Sequence, residues 1–167
     1  MRSSRGEFPT AGWAARLLAI ALLAAACPDP PVQPLLDARI HRLMQCQECN
    51  AGEMAAVVAM ADSAVLPLRE LILTGPPARL IARVDSALRM PVDSGGGPYE
   101  PPEQAIQRLL EDYRTIYRVR SSHALGQIGG DSARHAICAA KAAPGLSRRE
   151  VQLALNSALV RMGGSCP

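Results

Sequence analysis

Aromatic residues are nearly missing from this chain, at 3% of 167 residues. Phe8 and Trp13 both fall within the first 26 residues, so only Tyr99, Tyr113 and Tyr117 remain downstream. A core so poor in rings must be built from Ala, Leu, Val, Ile and Met. That suits closely packed helices and disfavours a β-sandwich. Small side chains gain less on burial, so covalent cross-links would add useful stability. Charge of one sign is scarce as well. The formal net charge is +3, of which Arg2, Arg5 and Arg16 against Glu7 supply two, leaving +1 for residues 27–167. That balance gives no electrostatic case for nucleic acid. Chemistry-bearing patterns are also thin. No serine–histidine–acid order stands out, His41, His123 and His135 are scattered, and Gly95-Gly96-Gly97 follows no expected strand. Neither a catalytic site nor a cofactor is expected.

What is present is an echo. Residues 122–130 read SHALGQIGG and residues 156–164 read NSALVRMGG, 34 positions apart. Ala124 matches Ala158, Leu125 matches Leu159, Ile128 matches Met162, and both segments close on Gly-Gly. Each reads as the end of a helix with a small, apolar inner face and a glycine stop. A second echo links DSAVLPLREL from Asp62 to DSARHAI from Asp131, 69 positions on and about twice the first period. A recurring period of this size predicts stacked helical repeats.

The chain opens with an address. Arg2, Arg5 and Arg16 form a positive region, and residues 17–26, LLAIALLAAA, form an apolar run that ends in small residues. That run falls short of the roughly 20 residues of a membrane span. Residues 1–26 are therefore expected to be a secretory signal. Small residues before Cys27 resemble the lipobox of bacterial lipoproteins, which implies lipidation at Cys27. Ala24 departs from that pattern, so plain cleavage after Ala26 stays open. Either route begins the mature chain at Cys27 and places it outside the cytoplasm, periplasmic or membrane-anchored. Pro28, Pro30, Pro31 and Pro34 make residues 27–34 a stiff tether.

From residue 35 to 167 the pattern is helical, about seven helices in all. Leu36, Ile40, Leu43 and Met44 share one face of a helix over 35–46, and 53–60 continues after a break. Asp62 is expected to N-cap the next helix, with Pro67 in or near its first turn. Residues 78–90 form another, followed by a Gly- and Pro-rich loop at 91–102. Residues 103–128 read as one long helix whose apolar positions include Leu109, Tyr113, Ile116 and Tyr117. Asp131 is expected to cap the helix after Gly130, and Ser147-Arg148-Arg149-Glu150 to form a capping box for the last one.

Five cysteines complete the inventory. If Cys27 is acylated, four remain, an even number suited to two disulfides. Cys46-x-x-Cys49 is the sharpest local motif. A structural bridge is the simplest reading; a metal- or redox-active pair is the alternative. Zinc would need a second pair, and Cys138 and Cys166 stand 28 residues apart. If Cys46 joins Cys49, Cys138 joins Cys166; the other two connectivities stay open.

The segments 62–71, 124–137 and 157–164 resemble HEAT-like repeats of the short bacterial kind associated with phycobilisome lyases. The resemblance implies an α-solenoid of antiparallel helix pairs acting as a protein-binding scaffold, and it carries no lyase chemistry. It further implies that the second helix of each pair lines a concave side. That would place Arg114, Arg118, Arg148, Gln152 and Asn156 toward a partner, another protein or an envelope component, especially an acidic one.

Overall fold

The structure, a computed structural model, describes residues 37–46, 51–90 and 102–166, together with the backbone of 92–93 and 98–99. All belong to the compact unit Leu35–Pro167. The expectations for residues 1–36, including the signal, Cys27 and the tether, and the one for Cys49 lie outside the described residues.

The described residues are helical, with seven helices in chain order. They are α1 (Ala38–Gln45), α2 (Ala51–Val58), α3 (Asp62–Thr74), α4 (Ala78–Leu88), α5 (Glu103–Ile128), α6 (Gly130–Ala142) and α7 (Arg149–Arg161). The 91–102 loop adds one departure from an all-helical chain. Its backbone forms a minimal antiparallel ladder, β1 (Val92–Asp93) with β2 (Pro98–Tyr99), in which Val92 pairs with Tyr99. Arg89 ties the two sides of this excursion together. It reaches Asp85 on α4 at 3.0 Å and Glu103 at the start of α5 at 2.7 Å.

Helix ends differ from the expected caps. Asp37 caps α1 with a 2.8 Å bond from the Arg39 amide. Asp62, however, is the first helical residue of α3, after Ala61 at φ 49°. Asp131 lies inside the first turn of α6, and α7 starts after Arg148, so the Ser147–Glu150 box does not form. In each case an acidic residue still sits in the first turn, where the helix dipole favours it without a side-chain cap. Pro67 sits deeper than expected, within α3. Its ring nitrogen leaves the Ser63 carbonyl without the usual helical donor.

α5 is the hub. At 26 residues it is about 39 Å long, and each of the other six described helices packs against it. Ile106, Leu110, Tyr117, Ser121, Ala124, Leu125 and Gly126 are buried along its length. Among the described residues Tyr117 is the largest fully buried side chain, so the core is not wholly aliphatic. Its ring lies edge-on to Tyr113 at 5.2 Å, and the two hydroxyls are 3.2 Å apart. Burial first, and the Tyr113 hydroxyl second, push the Tyr117 phenol above its ordinary pKa. Leu109 and Ile116, expected to face inward, are 48% and 42% exposed instead. They fall on one strip of α5 that stays partly open to solvent.

α5 and α7 run in the same direction. Arg148, at the start of α7, meets Asp112 and Thr115, while Ala158, near its end, meets Gly126. The partners thus differ by 36 residues at one end and 32 at the other, bracketing the 34-residue echo. Contact at the second end leaves no room for a Cβ on Gly126 unless the two helices shift. A Cβ there would lie 2.8 Å from the Ala158 Cα and 2.9 Å from its Cβ.

A disulfide between Cys138 on α6 and Cys166 in the tail, with Cα atoms 5.5 Å apart, pins the chain end to the helix before α7. Arg134 reinforces it by donating to the Met162 carbonyl at 3.3 Å. Cys46 is also disulfide-bonded.

Candidate functional site

The five residues expected to face a partner divide into one connected group and two separate residues. Glu111 on α5 accepts from both Arg114, at 3.3 Å, and Arg118, at 3.2 Å. The spacing explains the sharing, since positions three and seven residues later rise on the same face of a helix. Arg148 donates to Asp112, the residue after Glu111, at 2.7 Å and to the Thr115 hydroxyl, one turn along, at 3.1 Å. The Thr115 hydroxyl in turn donates to the Glu111 carbonyl at 2.9 Å. Arg114, Arg118 and Arg148 therefore form one ledge across α5 and the entry to α7. Three guanidinium groups stand against the two carboxylates they bind, and Glu150 also acts on Arg148 by charge.

Exposure grades along the ledge. The side chains of Arg114 and Arg148 are 32% and 36% exposed, whereas Arg118 is only 13% exposed. The Arg118 Nε is buried without a hydrogen-bond partner. Its head reaches the surface while its stem packs inside. The Arg114 stem rests against Gly75 just after α3, where a Cβ would sit 3.5 Å from its Cγ. Hydrogen bonds to Asp112 hold Arg148 firmly protonated.

Gln152 and Asn156 do not join this network. Gln152 donates to the Leu146 carbonyl at 2.6 Å, tying down the loop before α7. Asn156 accepts from Lys141 on α6 at 2.8 Å at the surface. Both are thus engaged within the chain.

Two features went unread in the sequence. Arg120 donates to the carbonyls of Leu43 at 3.3 Å, Met44 at 2.5 Å and Cys46 at 2.7 Å. It caps the carboxyl end of α1 and places a positive charge on the negative pole of that helix. No local pattern announces a partner 74 to 77 residues away. Second, an open groove of about 540 Å³ separates α3 from α6. Leu66, Arg69, Ser132 and His135 are among its lining, and the Arg69 Nε is buried and unpaired there.

Among the described residues, no group of three or more His, Cys, Asp or Glu could hold a metal ion, and no helix is long and apolar enough to cross a membrane. No known protein family, curated protein or solved structure matches the chain.

Proposed function

We propose that this chain is an exported, lipid-anchored scaffold of the cell envelope, without enzymatic activity, that holds an acidic partner protein or envelope component. Its helices form a short α-solenoid of the HEAT-like kind. The carrying observation is the ledge of Arg114, Arg118 and Arg148, which gathers three guanidinium groups, each held by a carboxylate, on a seam between two helices. Rigid placement matters because a preordered cation loses little freedom on binding. The side-by-side course of α5 and α7 in the register of the 34-residue echo supports the solenoid. The Cys138–Cys166 bridge supports an oxidising compartment. Lipidation at Cys27 and a bridge from Cys46 to Cys49 complete the picture and leave no thiol free.

A photo-crosslinking residue placed at the exposed Arg108, one turn before Glu111 and Asp112 on α5, tests the ledge. In intact cells it is expected to trap one adduct of defined mass, and the same residue at Arg83 on α4 is expected to trap none. The double variant Arg114→Gln/Arg148→Gln should lose the adduct while keeping its helical circular dichroism. An adduct that persists in the folded double variant would refute the ledge. The intact mass of membrane-extracted protein tests the address and the bridges together. A mass equal to residues 1–167 with every thiol reduced would overturn both.

A further inference from the structure

The outward side of α7 carries two large apolar residues in open solvent, Leu153 at 57% exposure and Val160 at 78%. Seven residues apart on a helix, they lie within about 20° of one another and make one stripe. The echo identifies what this stripe is. Adding 34 to Gly126, the position on α5 that α7 covers, gives Val160. α7 therefore exposes the same side that α5 buries beneath α7. The tail closes the neighbouring edge of α6 through Cys138–Cys166 and Arg134, whereas among the described residues nothing covers Leu153 and Val160.

The flanks of the stripe are charged in a self-complementary way. Glu150 and Arg161 lie on the same flank, and neither makes an ion pair or side-chain hydrogen bond among the described residues. Eleven residues of helix hold them roughly 16 Å apart, too far to pair within one chain. Now place a second α7 antiparallel to the first about a two-fold axis near Asn156. Leu153 then faces Val160 of the other copy, and Glu150 faces Arg161 of the other copy. A two-fold contact makes each of these pairs twice.

We propose that this face of α7 is a homodimer interface, in which two copies pack their α7 helices antiparallel through Leu153 and Val160 and lock register with Glu150–Arg161 ion pairs. It uses none of Arg114, Arg118 and Arg148, although Glu150 lies within electrostatic reach of Arg148. A single helix pair is a small interface, at the low end for protein association, so the dimer is weak and concentration-dependent.

Sedimentation equilibrium on the full processed protein, over about 1 to 300 μM and at low salt, tests it. Wild type should show a reversible monomer–dimer equilibrium. Val160→Glu should weaken it by at least about tenfold, the loss typical of a central contact. Glu150→Arg and Arg161→Glu should each weaken it, because each sets like charges face to face. The double variant Glu150→Arg/Arg161→Glu should restore it. Since the two residues cannot meet within one chain, rescue reports contact between copies. Circular dichroism guards against misfolding at these exposed positions. Wild type that stays monomeric to 300 μM overturns the proposal, and so does a dimer that persists unchanged in Val160→Glu. A double variant no tighter than the singles overturns the antiparallel register.

Discussion

Gly126→Ala should destabilise the protein, although alanine is the better helix former. In an open helix the change would gain about 1 kcal/mol. Here the new methyl would sit 2.8 Å from the Ala158 Cα and 2.9 Å from its Cβ. Comfortable carbon–carbon contact needs up to about 4 Å, so α5 and α7 must part by roughly 1 Å locally. A gap of that size forfeits a quarter to a half of the dispersion energy of the contacts beside it, and overpacking of this kind costs about 1–3 kcal/mol. Subtracting the propensity gain leaves a net loss of up to about 2 kcal/mol, a fall of up to roughly 8 °C in Tm for a domain of this size. Urea titration followed by circular dichroism reads it as a lower midpoint with an unchanged slope. Ala158→Gly in the same background should rescue only partly, because the nearest atom to the added methyl is the backbone Cα and not the methyl of Ala158. A Gly126→Ala protein with a higher midpoint than wild type would refute the close approach of the two helices.

Three further outcomes follow from the same packing. Arg120→Met should free the end of α1, stripping about 2–4 kcal/mol from a charged, partly buried hydrogen-bond set; hydrogen exchange should show α1 losing protection before α6, and equal protection in both would count against the cap. Cys138→Ser/Cys166→Ser opens a loop of 28 residues and should cost roughly 3–4 kcal/mol by chain entropy, read from the thermal midpoint. The Arg89 guanidinium, then the Gln107 amide, hold the Glu103 carboxyl down to about 2, and the Arg39 side chain does the same for Asp37. Both folded values lie below the unfolded ones, so the stability these groups add is complete above about pH 4.5 and drains away as pH falls toward 2. An NMR titration should place both midpoints near 2, and Arg89→Gln should raise the Glu103 midpoint while leaving that of Asp37 in place; a wild-type Glu103 midpoint in the ordinary range would refute the clasp.

The helices were legible because helix formation is a local matter. The apolar spacing of residues 103–128 and the Gly-Gly that follows place α5 within the reach of neighbours three and four residues away. The same locality explains the errors. A capping box is read from four residues, but whether it closes at Ser147 depends on how the preceding loop arrives. Leu109 and Ile116 fit the helical period as well as Leu110 and Tyr117 do, and only the placement of the neighbouring helices decides which side is covered. The candidate ledge was half legible. Arg114 and Arg118 share a helix with Glu111, whereas Arg148 reaches Asp112 across 36 residues of chain.

By itself, then, the sequence determined a chain of small-cored helices, their approximate ends, and a 34-residue period that makes two of them alike. Tertiary structure alone decided that α5 is the common neighbour of the other six described helices, that Cys138 closes on Cys166, and that Gly126 and Arg120 meet partners far along the chain. The division has a physical cause. Periodicity and stop signals act within a turn of helix, whereas close approach, disulfide pairing and the capping of a distant helix need partners 28 to 77 residues away that only the folded chain brings within reach.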